Sequence, residues 1–355
     1  MKILKNMSAI LAAAIFLGTI LILAAYSLPT EKIYQNMQRS AEIYKNEHNS
    51  PRWGEVIHTR LDNFTTSIMI MKAAYPVEEK ILESALLNPS WQIYGKPTNV
   101  LVEISKNNTK SVEDTWNYSR YWHGYLIFLK PLMTFCSLQI LREINFLLQF
   151  LLSITAILLI YKKIGLYHAY AFALTLAIIN PITAALDLQI ATVFYIMIGA
   201  VIFILLKNEF LQRGANSIYF FMIVGIVTVY LDFLTYPFVT FGVPLCVYIF
   251  MNKEKFFSTL PLKSLTKYLI AWCTGYFGMW LGKWIVATAL TSENVIKDAL
   301  FAASYRSSFE LAEGEGGRTI TFFEVLNIVL GTFFRGSAGI LAAIVILYIL
   351  YSCKY

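Results

Sequence analysis

Between Ser8 and Ser27 the chain is almost unbrokenly apolar, and comparable runs recur at roughly 141–161, 168–181, 188–206, 217–232, 236–252, 267–289 and 337–353. Most approach the length of about 20 residues that a helix needs to cross the hydrocarbon core of a bilayer. Residues 28–123, between the first run and the second, are polar-rich. The pattern predicts an all-α polytopic membrane protein, with about eight transmembrane helices and a large, mainly helical extracytoplasmic segment after the first. Three regions follow from it. Residues 1–27 form an N-terminal transmembrane helix, 28–140 an extracytoplasmic segment ending in an interfacial amphipathic helix, and 141–355 a multi-helix membrane domain with an outer loop at 290–336. The runs 168–181 and 217–232 are short for a crossing, and Pro181, Pro237 and Pro244 mark breaks. Helix breakers at membrane depth are tolerated where protein or a water-filled cavity satisfies the backbone, so an outer cavity is expected.

Composition agrees with this reading. The chain is 57% hydrophobic and only 14% charged, with a mean hydropathy of +0.57; soluble domains carry about a quarter charged residues. The first run follows Lys2 and Lys5 and is longer than the 7–15 residue core of a cleaved signal peptide, so an uncleaved helix is expected.

Charge supplies the orientation. The net charge is +7, yet residues 28–123 hold eleven Lys or Arg and eleven Asp or Glu, so the excess lies in the membrane part. With the N-terminus cytoplasmic, alternate loops carry Lys162 and Lys163, then Lys207 and Arg213, then Lys253, Lys255, Lys263 and Lys267, and finally Lys354. The intervening short loops, "NPITAALD" and "LDFLTYP", carry no Lys or Arg. That alternation obeys the positive-inside rule and places residues 28–140 outside the cytoplasm of a multi-pass cell-membrane protein. Basic charge distributed in this way reports topology, and no nucleic-acid partner is expected.

The stretch "YSRYWHGYLIFLKPL", residues 118–132, stacks amphipathic side chains at the border between polar and apolar sequence. Residues 120–138 are read as an amphipathic helix on the outer surface, broken near Pro131, with Tyr121 and Trp122 as interfacial anchors. For Arg120 and His123 anchoring and function both stay open. Cys136, Cys246, Cys273 and Cys353 all lie in apolar segments, which suggests no disulfide framework. The four histidines show no metal-ligand spacing; neither a metal site nor a cofactor is expected, although a divalent metal stays open.

Candidate chemistry gathers on the outer face. Asp187 ends one outer loop and Asp232 lies in the next, and ionisable groups at the membrane edge commonly face a cavity. The alternative for each is a helix cap. In "WGEVIHTRLDNFTTSIMIMKAAY", Glu55, His58, Arg60 and Asp62 precede a compact apolar run. A carboxylate there could take a proton from an acceptor hydroxyl. Equally, Asp62 suits the N-cap of a helix starting at Asn63. Lys283 lies between Trp280 and Trp284 near the outer end of its helix, either snorkelling or holding a lipid phosphate. Gly278 and Gly282 form a small-xxx-small pair suited to helix packing. In the last outer loop Gly314, Gly316 and Gly317 lie between Arg306 and Arg318, which fits a mobile cover over a phosphate or a plain connector. Sequons at Asn63, Asn107 and Asn117 are short patterns expected by chance.

One helix, a long outer segment, a surface helix and then short crossings with functional outer loops resembles the GT-C superfamily of membrane glycosyltransferases. The local likeness lies in residues 121–165, through His123, the run Ser137 to Arg142, and Tyr161 to Lys163. The resemblance implies a sugar donor linked to polyprenyl phosphate, a glycan or lipid acceptor, a membrane-lipid environment, and an aspartate of the first outer loop as base. By position Asp62 matches that role, with Glu55, His58, Arg60, His123, Asp187 and Asp232 in support, and with Lys283, Arg306 and Arg318 for the donor phosphate. Eight crossings is few for that superfamily, and a chain that stops directly after an apolar run is what a truncated product would look like. Two other classes fit the composition. A transporter or lipid flippase predicts charges at mid-membrane and an inverted repeat, which the sequence does not show. A non-catalytic assembly protein would use residues 28–140 as a docking surface.

Overall fold

The computed structural model of the chain describes residues 2–47, 50–51, 60–77, 80–92, 96–106, 115–232, 235–258, 261–307, 321, 323–327 and 331. Helices α1 (Lys2–Tyr26), α2 (Glu31–Asn46), α3 (Asn63–Ala74) and α4 (Ile81–Leu87) come first. Strand β1 (Pro89–Trp91), α5 (Pro97–Ser105), β2 (Thr115–Asn117) and α6 (Leu126–Phe135) follow, and β1 pairs antiparallel with β2. The apolar half contains α7 (Leu138–Lys163), α8 (Leu166–Ile179), α9 (Pro181–Leu186), α10 (Leu188–Gln212) and α11 (Asn216–Leu231). It continues with α12 (Val239–Met251), α13 (Lys253–Phe257), α14 (Pro261–Leu290) and α15 (Val295–Ser307). The chain divides into two compact units, Met1–Ile296 and Lys297–Tyr355, and α1–α14 lie in the first.

The class is all-α. Three described helices, α1, α7 and α10, are long and apolar enough to cross a membrane. The expected crossings near 168–181, 217–232 and 236–252 are helices of 14, 16 and 13 residues, each shorter than the roughly 20 residues of a straight span. The run 337–353 lies outside the described residues.

Two apolar cores lie along α1. Its first half contributes Met7 to a cluster built from α7, α8, α10, α11, α12 and α14, while Ile22 and Tyr26 join another with α2, α3, α5 and α6. Helices α11 and α14 run side by side in the same direction: Ser217 meets Tyr268 near their starts, and farther along Tyr230 and Met279 both pack against Gly18 of α1. They touch backbone to backbone, because a Cβ on Gly225 would strike the Trp272 carbonyl and one on Gly275 the Met222 carbonyl. The pair Gly278 and Gly282 does the same for α1, receiving Leu11 and Ile15, as small-xxx-small packing requires.

The junction at residues 118–125 differs from the expected surface helix. Residues 119–125 form two turns joined by irregular backbone, and helix begins only at Leu126. Trp122 is fully buried and its indole N–H donates to the Met279 carbonyl (2.8 Å), so it locks the segment to α14 and is no interfacial anchor. Tyr121 stacks on Trp280, while the indoles of Trp280 and Trp284 both donate to the Arg120 carbonyl. His123 adopts a left-handed φ of 52°, which brings the Gly124 N–H onto the Tyr230 carbonyl (2.8 Å). Helix α6 continues through Pro131 to Phe135 and buries Leu126, Leu129, Lys130 and Met133. The bends come from the contacts of Trp122 and Gly124, and the proline leaves the helix unbroken.

Candidate functional site

Two aspartates meet where α3 and α10 begin. Asp62 caps α3, its carboxylate accepting from the Thr65 N–H (2.9 Å) and the Thr65 hydroxyl (2.7 Å). A short oxygen acceptor at this position satisfies backbone donors that the helix leaves open. Asn180, with φ of 62°, turns the chain from α8 into α9, and α9 then delivers Asp187 to the start of α10. One Asp187 oxygen accepts from the Gln189 and Ile190 N–H groups; the other accepts from the Asp62 N–H at 2.8 Å. Each aspartate caps its own helix, and Asp187 also grips the backbone of its partner.

Arg142 of α7 sets the spacing of both segments. Its guanidinium donates to the Leu186 carbonyl (2.9 Å), to Asn63 Oδ1 (2.9 Å) and to both oxygens of Glu47 (3.1 Å each). Leu186 and Asn63 are the chain neighbours of Asp187 and Asp62. The planar fork of arginine suits simultaneous donation in several fixed directions, which lysine cannot reproduce.

The pair opens into a cavity of about 950 Å³ with two distinct ends. Arg60, Asp62, Thr183, Asp187, Gln189 and Thr235 make one end polar. Along α10, Ile190, Val193, Phe194 and Met197 continue it as an apolar trough, the spacing that places residues on one face of a helix. Arg60 donates to Ser50 (2.8 Å) at the rim. Among the described residues the Thr183 hydroxyl and the Gln189 side-chain oxygen are buried without a hydrogen-bond partner, although the Gln189 amide donates to Thr235. Buried polar atoms are normally satisfied, so these two are suited to a ligand carrying hydroxyl groups.

Burial raises the Asp187 carboxyl to about pH 6; the Asp62 N–H opposes the shift and the negative charge of Asp62 adds to it. The sign has two consequences. The folded chain holds this proton more tightly than the unfolded one, so stability declines as pH rises from about 4 to about 6. A reaction requiring both carboxylates ionised would gain rate over the same interval. Melting temperature measured between pH 4.5 and 8 should therefore fall near pH 6 for the wild type, and an Asp187→Asn variant should lose that inflection.

The other expected site residues are distributed elsewhere. Asp232 is buried and accepts from the N–H of Thr235, whose side chain lines the cavity, so it shapes the wall from behind. His123 lies at the junction with α14, its ring nitrogens against the Tyr118 carbonyl and the Tyr125 hydroxyl. Burial, with Lys72 adding to it, holds its pKa well below the ordinary histidine range. Lys283 is fully buried and donates to the Leu86 carbonyl at 2.5 Å, under Trp122. Lys72 treats the Asn88 carbonyl likewise (2.6 Å), and Lys130 the Ala73 carbonyl (2.9 Å). Three buried lysines thus donate to carbonyls at the ends of α3 and α4. Arg306 lies in α15, which takes the place of open loop over Val295–Ser307; its side chain, with Glu55, His58, Arg318 and the glycines 314, 316 and 317, lies outside the described residues. Among the described residues no group of three or more His, Cys, Asp or Glu is placed to hold a metal.

Four residues of this site have no assigned role in the sequence, although Arg142 ends a run that carries the family resemblance. Thr183, Gln189 and Thr235 are ordinary polar residues near helix starts, and only the fold turns them toward one space. Arg142 does carry a signal, as an arginine at the start of a long apolar run. No family model, curated protein or solved structure matches the chain.

Proposed function

We propose that the protein is a membrane glycosyltransferase of GT-C type, moving a sugar from a polyprenyl-phosphate-linked donor to a glycan or lipid acceptor on the outer face of the cell membrane. The observation that supports this reading is the Asp62–Asp187 pair at the polar end of a cavity whose other end is an apolar trough. Such a cavity suits an amphiphile with its chain along α10 and its head at the carboxylates. In this reading Asp62, half-exposed to the cavity, takes the proton of the acceptor hydroxyl as it attacks the anomeric carbon. The bond from that carbon to the phosphate oxygen breaks, and the lipid phosphate leaves with the electron pair. Asp187 holds the Asp62 backbone in place for that step, its carboxylate accepting from the Asp62 N–H. Arg60 at the rim stands nearest for the leaving phosphate, ahead of Lys283 with its carbonyl partner. The test is release of lipid phosphate from a panel of polyprenyl-phosphate sugars by the purified protein in lipid nanodiscs. Release by wild type and not by Asp62→Asn supports the reading, and no turnover of any donor with any acceptor removes it.

The same reading places about eight crossings in the membrane, with the N-terminus inside and α2–α6 outside. In a background with all four cysteines replaced, Glu103→Cys should react with an impermeant thiol reagent on intact cells and Lys255→Cys should not. Labelling at 255 and not at 103 reverses the orientation and moves the aspartate pair to the cytoplasmic face.

A further inference from the structure

We propose that the groove between the starts of α1 and α14 is a binding site for an anionic phospholipid, apart from the aspartate cavity. The groove has a volume of about 720 Å³. Ile3 and Met7 of α1 form one wall, Leu262 and Ile270 of α14 the other, Ile218 of α11 contributes to the floor, and Lys263 and Lys267 stand on the rim. The apolar walls are open sideways, since Ile3, Leu262 and Ile270 are 45%, 76% and 58% exposed. From Lys263 to Ala271 the groove descends about 12 Å at 1.5 Å per residue, close to the roughly 15 Å of one leaflet.

The charges point to the ligand. Helices α1, α11 and α14 all begin at this end, and none has an acidic residue in its first turn. In its place α1 carries Lys2 and Lys5, and α14 carries Lys263 and Lys267 one turn apart. The start of a helix is the positive end of its dipole and favours an anion, so lysines there repel it and each other. Among the described residues no Asp or Glu lines the groove to relieve the charge. A phosphate over Lys263 and Lys267 would relieve both repulsions, with an acyl chain between Met7 and Ile270 covering the exposed apolar walls. Basic clefts between membrane helices recognise anionic headgroups in this manner. A free phosphate would leave the apolar walls uncovered.

The experiment is native mass spectrometry of the detergent-purified full chain, titrated with phosphatidylglycerol or with phosphatidylcholine. Wild type should bind phosphatidylglycerol roughly tenfold or more tightly than phosphatidylcholine, on the scale of two surface lysines. Lys263→Gln with Lys267→Gln should remove that preference, whereas Lys253→Gln with Lys255→Gln on α13 should keep it. Thr266→Trp, which fills the groove from an exposed position and leaves the lysines intact, should release both lipids, and Ile3→Trp on the opposite wall should do the same. Melting temperatures near wild type show that each variant is folded. Equal binding of the two lipids by wild type, a preference that survives loss of Lys263 and Lys267, full retention in both tryptophan variants, or equal competition by inorganic phosphate would each overturn the proposal.

Discussion

In the proposed glycosyl transfer, Asp62→Asn is expected to lower the rate by about 10²–10⁴-fold, the usual contribution of a positioned general base, while the melting temperature shifts by no more than a few degrees. The separation of the two readouts follows from the cap. The aspartate oxygens accept from the N–H and hydroxyl of Thr65, and asparagine caps helices about as well as aspartate. Its amide cannot accept a proton, so the chemistry is removed and the helix start survives. Asp62→Ala is the complementary variant. It removes both functions and should also destabilise the chain, by about 1 kcal/mol for a lost cap. Transfer assays beside thermal melts in detergent give the answer. Wild-type rates in Asp62→Asn would reduce Asp62 to a cap and shift attention to Asp187.

The sequence could state the two roles of Asp62 without choosing between them, and the fold shows why. A carboxylate has about four sites for hydrogen bonds, so capping by Thr65 leaves room for a substrate proton. The N-cap was legible because it is local: Asp62, the helix start at Asn63 and the donors of Thr65 lie within three residues. The long apolar helices were legible for a similar reason, since α1, α7 and α10 follow from composition over some 25 residues. Long-range placement was not. Asp187 and Asp62 are 125 positions apart, and nothing in "NPITAALD" says that its last residue will hold the Asp62 backbone. Lys283 misled in the opposite direction. A lysine between two tryptophans near a helix end has the composition of an interfacial residue, but its target is the Leu86 carbonyl, almost two hundred positions away. The junction "YWHG" likewise looked like an anchor because Tyr and Trp favour interfaces, whereas here Trp122 fills a core position and Gly124 meets the Tyr230 carbonyl.

Arg142→Lys is expected to lower the proposed transfer strongly and to move the acidic limb of its pH–rate profile toward higher pH. The guanidinium serves four acceptor atoms on three segments: Leu186, Asn63 and Glu47. A lysine keeps the charge but has one nitrogen, so it cannot reach all of them. The losers in geometry are the neighbours of the two aspartates, and separation of Asn63 from Leu186 would stretch the bond from the Asp62 N–H to Asp187. That bond opposes the burial that raises the Asp187 carboxyl to about 6; weakening it leaves burial less opposed, and the inflection moves upward. Arg142→Ala should also destabilise the fold by roughly 2–3 kcal/mol, less than the 3–5 of a fully buried pair, because Glu47 retains 31% exposure. The pH profile is what distinguishes positioning from stability. A variant that is merely less stable loses amplitude with its inflection unmoved, whereas one that has lost the spacing of the aspartates titrates at a new pH. An unmoved inflection in folded Arg142→Lys would show that the aspartate pair is held without the guanidinium.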